Sequence, residues 1–332
     1  MFKKNKKYPL DGKHLNIKDS VEENNSHIKE ILDGSHLEKH SVLNHIHKIV
    51  MPPITSYVKK KKKKHLQKHG HDNLETNFWL FDGLKRVKIV RENVGKSGAL
   101  HVIYNFWETV TFFDYISPAS WLEAFWVSML NCKSVRNRYK LIRSILTMSI
   151  YKMHHLKNGE TIEILEVAAG SSQVLIKTIA FLKKRGIKIN AKLIDIDEKS
   201  LETAKRLAEK LGISDSIETK VQNLFKYFST EGDGKKYDII EMVGIADYLT
   251  DEQKYFVYGE SNKKLNAGGF LITANISDNP EREFIHTVAD WPDMIYRSKE
   301  EMEIFIGGSG FNKNLVFTEP LGVYVVAVGE KD

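Results

Sequence analysis

Residues Ile162 to Gln173 read IEILEVAAGSSQ, and this stretch decides the fold. A run of β-branched and apolar residues ends in an acid at Glu166, small residues follow, and an amphipathic helical pattern begins at about Val174. The pattern predicts a strand, a tight turn and a helix. In a parallel sheet, such a turn lets a ligand approach the backbone at the C-terminal edge, where the amides of the helix N-terminus also face it.

Working outward, the alternation of strand and helix continues to the end of the chain. A second strand, AKLIDID, reaches its tip at Asp195, and its helix is closed by Gly212. IETKVQN is a third strand leading to Asn223, and YDIIEMVG a fourth. A capping box from Thr250 to Gln253 opens the next helix, and GGFLITAN is the fifth strand. This spacing predicts an α/β fold with a doubly wound, Rossmann-like sheet. After a helix capped by Ser298 with Glu301, two short strands, Asn314 to Thr318 and Val323 to Val328, are joined too closely to be anything but antiparallel neighbours. A parallel sheet that finishes in an antiparallel hairpin is the arrangement of class I methyltransferases, which use S-adenosylmethionine. Nicotinamide-binding Rossmann domains generally lack it.

Two segments precede this domain, giving expected units of 1–75, 76–158 and 159–332. The first holds 16 Lys, no Arg and 9 acidic residues, so it carries all of the net charge of +7. The remainder sums to zero, which moves any polyanion contact to the N-terminal segment. The run Lys59 to Lys64 should stay solvated and could meet an acidic partner or an anionic membrane surface. Upstream of it, Ile28, Ile31, Leu32, Leu37, Val42, Leu43 and Ile46 recur at roughly helical spacing, a pattern that Pro52 and Pro53 are expected to end. His65, His69 and His71 have a metal-ligand spacing, but no Cys or carboxylate pattern closes a site, and no metal is expected. In the second segment, nine aromatic residues crowd between Tyr104 and Trp126, Phe112, Phe113 and Tyr115 among them, which predicts a helical cap that packs on the main domain and lines an apolar pocket in part. A long helix from about Ser134 to Lys152 follows, with Arg136, Arg138 and Arg143 projecting from it. No apolar run reaches the roughly 20 residues that cross a bilayer, and no signal peptide is visible, so a cytoplasmic protein is expected. The single Cys132 reads as an ordinary core residue.

Each part of S-adenosylmethionine finds a counterpart at the expected strand ends. Ala168, Gly170, Ser171 and Ser172 allow close backbone approach to the methionine moiety, and Glu166 can reach its ammonium. Asp195, with Ile196 beside it, suits the ribose hydroxyls. Asn223 and Leu224 would flank the adenine, with Val243 and Gly244 on the fourth strand completing the site.

From about Ser134 onward the chain resembles the bacterial class I methyltransferases that include enzymes making 3-hydroxy fatty-acid methyl esters as quorum-sensing signals. The resemblance rests on SVRNRYKLI at 134 to 142, EVAAGSSQ at 166 to 173, LIDID, GIADYL at 244 to 249, and NPEREFIHTVADWPDMIYRSKEEM at 279 to 302. It implies methyl transfer to a small molecule, such as a fatty-acyl-type or other carboxylic acid methylated on oxygen.

Methyl transfer from a sulfonium is an in-line displacement, so positioning outweighs acid–base chemistry, above all for a carboxylate acceptor that is already anionic. Asp247, Tyr248, Tyr296 and Arg297 are the candidate positioning residues, Arg297 as a planar clamp for a carboxylate. Asn275, Trp291, Arg138, Trp107 and Trp126 are candidate substrate contacts. Arg297 could instead pair with Glu301 or Glu303, and His286 reads as structural. Two alternatives stand beside this reading: a macromolecular or carrier-bound acceptor recruited by the basic segment, and a non-catalytic cofactor-binding scaffold. The sequence leaves the oligomeric state open, a homodimer included.

Overall fold

The computed structural model describes residues 36–71, 84–95, 97–111, 114, 117–229 and 234–332. Expectations for residues 1–35, for Phe112, Phe113 and Tyr115, and for the unit boundary at residue 75 lie outside the described residues.

The chain from residue 162 onward builds one seven-stranded sheet. Strands β1 (Ile162–Val167), β2 (Ile189–Asp195), β3 (Ile217–Val221), β4 (Tyr237–Val243), β5 (Leu265–Ile276), β6 (Lys313–Thr318) and β7 (Tyr324–Glu330) stand in the order β3-β2-β1-β4-β5-β7-β6. The first five pair in parallel, while β7 runs antiparallel to both β5 and β6. The predicted sheet and terminal hairpin are therefore present. Both capping boxes are formed as well, at Thr250 with Gln253 and at Ser298 with Glu301.

β1 and β4 are buried along nearly their whole length, as expected of central parallel strands covered on both faces. On one face Ile164, Ile239, Ile272 and Val326 pack against the long helix discussed below and against α6 (Gln173–Lys183). Leu165, Ile240, Leu271 and Val325 face the opposite way, toward α9 (Asp251–Lys264) and α11 (Lys299–Gly308). The period of two along each strand thus assigns side chains to layers. Glu166 and Glu241 fall on the first face.

The N-terminal part forms α1 (Val42–His69), α2 (Lys85–Glu92), α3 (Ser97–Asn105), α4 (Pro118–Val127) and α5 (Leu130–Leu156). Helix α1 corrects the expectation for the prolines, because it continues through Pro52 and Pro53 and includes the whole lysine run. Each proline removes an amide donor, at a cost of about 3 kcal/mol in an isolated helix. Tertiary packing offsets this: both rings face solvent, while Asn44, His47, Met51, Thr55 and Val58 form a buried stripe on the other side.

The motif SVRNRYKLI explains part of this docking. Arg136 and Asn137 on α5 grip the segment before α1, with Arg136 Nη2 donating to the Glu38 carboxylate (2.8 Å) and Asn137 exchanging two hydrogen bonds with the Glu38 backbone. Lys133 donates to Ser41 Oγ and Asn44 Oδ1. The later motif does the same from the other side. Glu281 accepts from the Leu130 and Asn131 amides (2.8 Å each) at the N-terminus of α5, where a carboxylate satisfies helix donors that have no partner within the helix.

Candidate active site

The turn after β1 is left-handed at alternate residues: Ala168, Gly170 and Ser172 have φ of 53°, 55° and 49°. Glycine would take these values freely, but alanine and serine do so at a cost of roughly 1–2 kcal/mol each. The turn keeps the shape of a glycine-rich loop although two of the three glycines are replaced. It is held from two sides: Gly170 N donates to Asp195 Oδ2 (2.7 Å), and Ser172 Oγ donates to Glu166 Oε2. Asp195 Oδ1 also accepts from Asp197 N (2.8 Å), which fixes the carboxylate at the tip of β2. Beside it Ile196 is 70% exposed, an apolar face offered at the sheet edge. Asn223 Oδ1 caps α8 (Leu224–Ser229) through the Phe225 amide (2.9 Å), while Leu224 is buried beneath it. Val243 and Gly244, the latter with φ of 98°, close the same edge after β4.

One residue there was not foreseen. Glu241 is the register partner of Glu166 on the adjacent strand, and both are buried. Neighbouring strands lie roughly 4.8 Å apart, where two like charges repel by about 3 kcal/mol at an effective dielectric near 20. Burial raises the Glu166 carboxyl well above its ordinary range, with Glu241 adding to the rise. Burial also pushes Glu241 up to about 8 against the pull of Arg138. Glu241 Oε2 has no hydrogen-bond partner. The sequence carried a signal for it, a second acid after Asp238 inside the strand YDIIEMV, two residues before its end, as Glu166 stands one residue before the end of β1.

Arg138 crosses the edge from α5. Its guanidinium lies 4.4 Å from the Tyr324 ring centroid and 3.6 Å from Asp247 Oδ2. Burial works against its charge, while Tyr324, Tyr104 and Asp247 hold its pKa raised. Asp247 fixes the loop after β4: its Oδ1 accepts from Ile276 N (2.6 Å), and its carbonyl accepts from Ile295 N (2.7 Å). Burial raises the Asp247 carboxyl despite Arg138.

Next to Arg138 is an apolar cavity of about 120 Å³ between the cap and the C-terminal end of β5. Val87, Val90 and Ile103 of the cap line it with Trp126, Val135, Ile276, Phe284, Ile285, Trp291 and Tyr324, and Arg91 and Cys132 also reach it. Trp291 is positioned by its Nε1, which donates to Tyr248 Oη (3.0 Å), and its carbonyl accepts from His286 Nδ1 (3.2 Å). The Tyr296 hydroxyl then donates to His286 Nε2 (3.0 Å). His286 therefore acts as a structural tie, as read from sequence.

Two expected substrate contacts, Trp107 and Asn275, and the expected carboxylate clamp Arg297 lie elsewhere. Trp107 is 51% exposed and stacks edge-on against Phe106, outside the cavity. Asn275 is on the other face of β5, since successive residues of a strand point to opposite sides; it accepts a hydrogen bond from the buried Lys254 and donates to the Ile295 carbonyl (2.8 Å). Arg297 pairs with Asp251 at the start of α9 and lies 5.6 Å from the Phe305 ring centroid, so it neither lines the cavity nor pairs with Glu301 or Glu303. Of the predicted contacts, Trp126 and Trp291 line the cavity, and Arg138 adjoins it through Tyr324.

The acid at the tip of β1, the left-handed turn and the anchored Asp195 suit a nucleoside that carries an amino acid. The orphaned Oε2 of Glu241 leaves an acceptor for its ammonium. The Glu166 side would hold the amino-acid part, and Asp195 the ribose.

Comparison with known proteins agrees with this geometry. Residues 158–314, a little under half of the chain, match the family model described as a methyltransferase domain. The comparison with curated proteins finds no match. Among solved structures, a protein of Bordetella parapertussis described as a possible exported protein superposes with a TM-score of 0.60 at 13% identity, covering 88% of this chain and 99% of that one. A magnesium protoporphyrin IX methyltransferase from Synechocystis PCC 6803 with bound S-adenosylmethionine gives 0.45 at 11% identity, covering 70% and 97%. An S-adenosylmethionine-dependent methyltransferase from Clostridium acetobutylicum ATCC 824 gives 0.40 at 11%, covering 56% and 90%. At 13% identity the likeness to the Bordetella protein concerns the fold. A sheet of this order that ends in an antiparallel pair has the class I methyltransferase fold, in which S-adenosylmethionine is the cofactor, and residues 158–314 match a methyltransferase domain.

Proposed function

We propose that the protein transfers the methyl group of S-adenosylmethionine to a small apolar acceptor held under the helical cap, and that this acceptor is a carboxylic acid methylated on oxygen. The carrying observation is the apolar cavity, which opens at the same sheet edge as the cofactor turn, beside Ile276 and Tyr324 at the ends of β5 and β7. A cavity of about 120 Å³ is slightly smaller than the ~150 Å³ space that takes up benzene, so it suits a short chain or a single ring. Longer acyl chains require the cap helices to part.

The acid follows from what lines the cavity. An alcohol or amine must lose a proton near the transfer step, whereas a carboxylate is ionised at neutral pH. Burial pushes the Cys132 thiol up to about 12, and it also raises the Tyr324 phenol, so neither supplies a base. Arg91 brings positive charge to the wall.

A series of straight-chain acids from four to twelve carbons tests the proposal by S-adenosylhomocysteine formation. The expected result is methyl ester and S-adenosylhomocysteine in equal amounts, with kcat/KM passing through a maximum near six to eight carbons. Turnover that ignores chain length, or that requires a protein or nucleic acid, contradicts it.

A macromolecular acceptor keeps one observation in its favour. Lys60, Lys61, Lys63 and Lys64 are exposed on α1, while Lys59 and Lys62 engage Glu283 and Asp290. Replacing the four exposed lysines by glutamine separates the readings, because turnover of a free small acid survives that change.

A further inference from the structure

The buried charges at the sheet edge do not balance. Glu166, Glu241 and Asp247 are three carboxyl groups, and Arg138 on α5 is the one guanidinium that meets Asp247 and acts on Glu241. Around Glu241, β1 supplies Glu166, the turn supplies the Ser172 hydroxyl bound to Glu166, β2 supplies Asp195, and β7 supplies the Tyr324 phenol beneath Arg138. Lys254 of α9, on the other face of the sheet, donates to Asn275 and pulls on Asp247, but does not act on Glu166 or Glu241. Arg138 is thus shared between Asp247, 3.6 Å from its Nη1, and Glu241, so the Glu166 and Glu241 pair has no cation to itself.

We propose that Glu241 is a second carboxylate of the cofactor site, sharing one proton with Glu166 in the ligand-free chain and releasing it when the cofactor's ammonium arrives. The geometry carries this: two buried carboxyls in register on adjacent strands, at the turn where the amino-acid part of the cofactor belongs, one of them with an oxygen that makes no hydrogen bond. The balance is simple. The carboxylic acid gives its proton to solvent, the ligand enters already protonated on nitrogen, and the pair then faces one positive charge instead of one shared proton. This holds whatever the methyl acceptor is.

The test is calorimetric titration of the full-length chain with S-adenosylhomocysteine, which carries the same ammonium, at pH 7 in two buffers of different ionisation enthalpy. About one proton released per ligand bound is expected. Its affinity should rise by up to tenfold per pH unit between pH 6 and 8, until the pair ionises unaided. Glu241→Gln lowers the release and makes the pH profile shallower, because Glu166 loses the neighbouring charge that adds to its rise, whereas Glu241→Asp retains more of both. Binding without proton release in the wild type overturns the proposal, as does an unchanged release in Glu241→Gln. Failure of the small-acid assay leaves this result untouched, because no acceptor is present.

Discussion

Ala168 and Ser172 hold left-handed backbone that glycine would adopt without cost. Ser172 also supplies a hydroxyl to Glu166, whereas the methyl group of Ala168 is not matched by any bond that requires it. Ala168→Gly is therefore expected to stabilise the protein by up to about 1 kcal/mol, strain relief outweighing the entropy of the added glycine. Thermal unfolding checks it, with Tm expected to rise by about 2 °C. Asp247 is the opposite case. Removing its carboxylate in Asp247→Ala leaves Arg138 and the Ile276 amide unpaired in a buried place, a loss of about 3 kcal/mol. Asp247→Asn keeps an oxygen for Ile276 and should lose less, which urea denaturation of the two variants decides. Glu241 and Arg138 show why residue roles were the hardest part to read in the sequence. A carboxylate inside a strand acquires its meaning from the residue opposite it, and pairing across strands is not written in either strand alone.

At the scale of elements, strands, caps and the final hairpin were legible because each has a local cause: alternation of side chains, a capping box, a connection too short for a crossover. The cap was less so. Local cost argued that Pro52 and Pro53 would end a helix, but α1 is held by a stripe of contacts to parts of the chain distant in sequence, such as Asn44 Nδ2 donating to the Ser128 carbonyl (3.1 Å) and His47 Nε2 donating to the Phe125 carbonyl (3.0 Å). Similarly, Arg297 looked like a clamp because it follows an aromatic motif, yet Asp251 opens the helix beside it. The lysine run gains a structural role from α1, since Lys59 meets Glu283 within α10 (Arg282–Thr287), whose Phe284 and Ile285 line the cavity, and Lys62 meets Asp290 just after that helix. Exposed pairs contribute only about 0.2–1 kcal/mol each. Reversing both charges, Glu283→Lys with Asp290→Lys, should thus loosen residues 283–291 without unfolding the domain. Amide hydrogen exchange there is expected to quicken several-fold, with affinity for S-adenosylhomocysteine unchanged.

For the whole molecule, the buried carboxyls predict an unusual dependence of stability on pH. A carboxyl whose folded pKa is raised binds its proton more tightly in the native chain, so its stabilising effect is complete below the unfolded value and is lost as pH rises through the folded one. For Glu241 that window runs from its ordinary value near 4.5 to about 8. The ligand-free protein should therefore lose stability between pH 6 and 8, on the order of 2 kcal/mol for two pH units. S-adenosylhomocysteine at saturation should reduce the loss, and so should Glu241→Gln; thermal unfolding across that range gives the answer. No helix among the described residues is long and apolar enough to cross a membrane. The cap and the C-terminal end of β5 enclose an apolar cavity, at the same edge of the sheet as the turn after β1. Cys132 lines that space from α5 and no residue of the turn does, so Cys132→Trp fills the cavity while leaving the turn intact. The decisive measurement compares methyl ester formation and S-adenosylhomocysteine affinity in Cys132→Trp and wild type. The structure predicts turnover of the small acid reduced at least a hundredfold with affinity for S-adenosylhomocysteine within about twofold of wild type; undiminished turnover would place the acceptor outside the cavity and contradict the account.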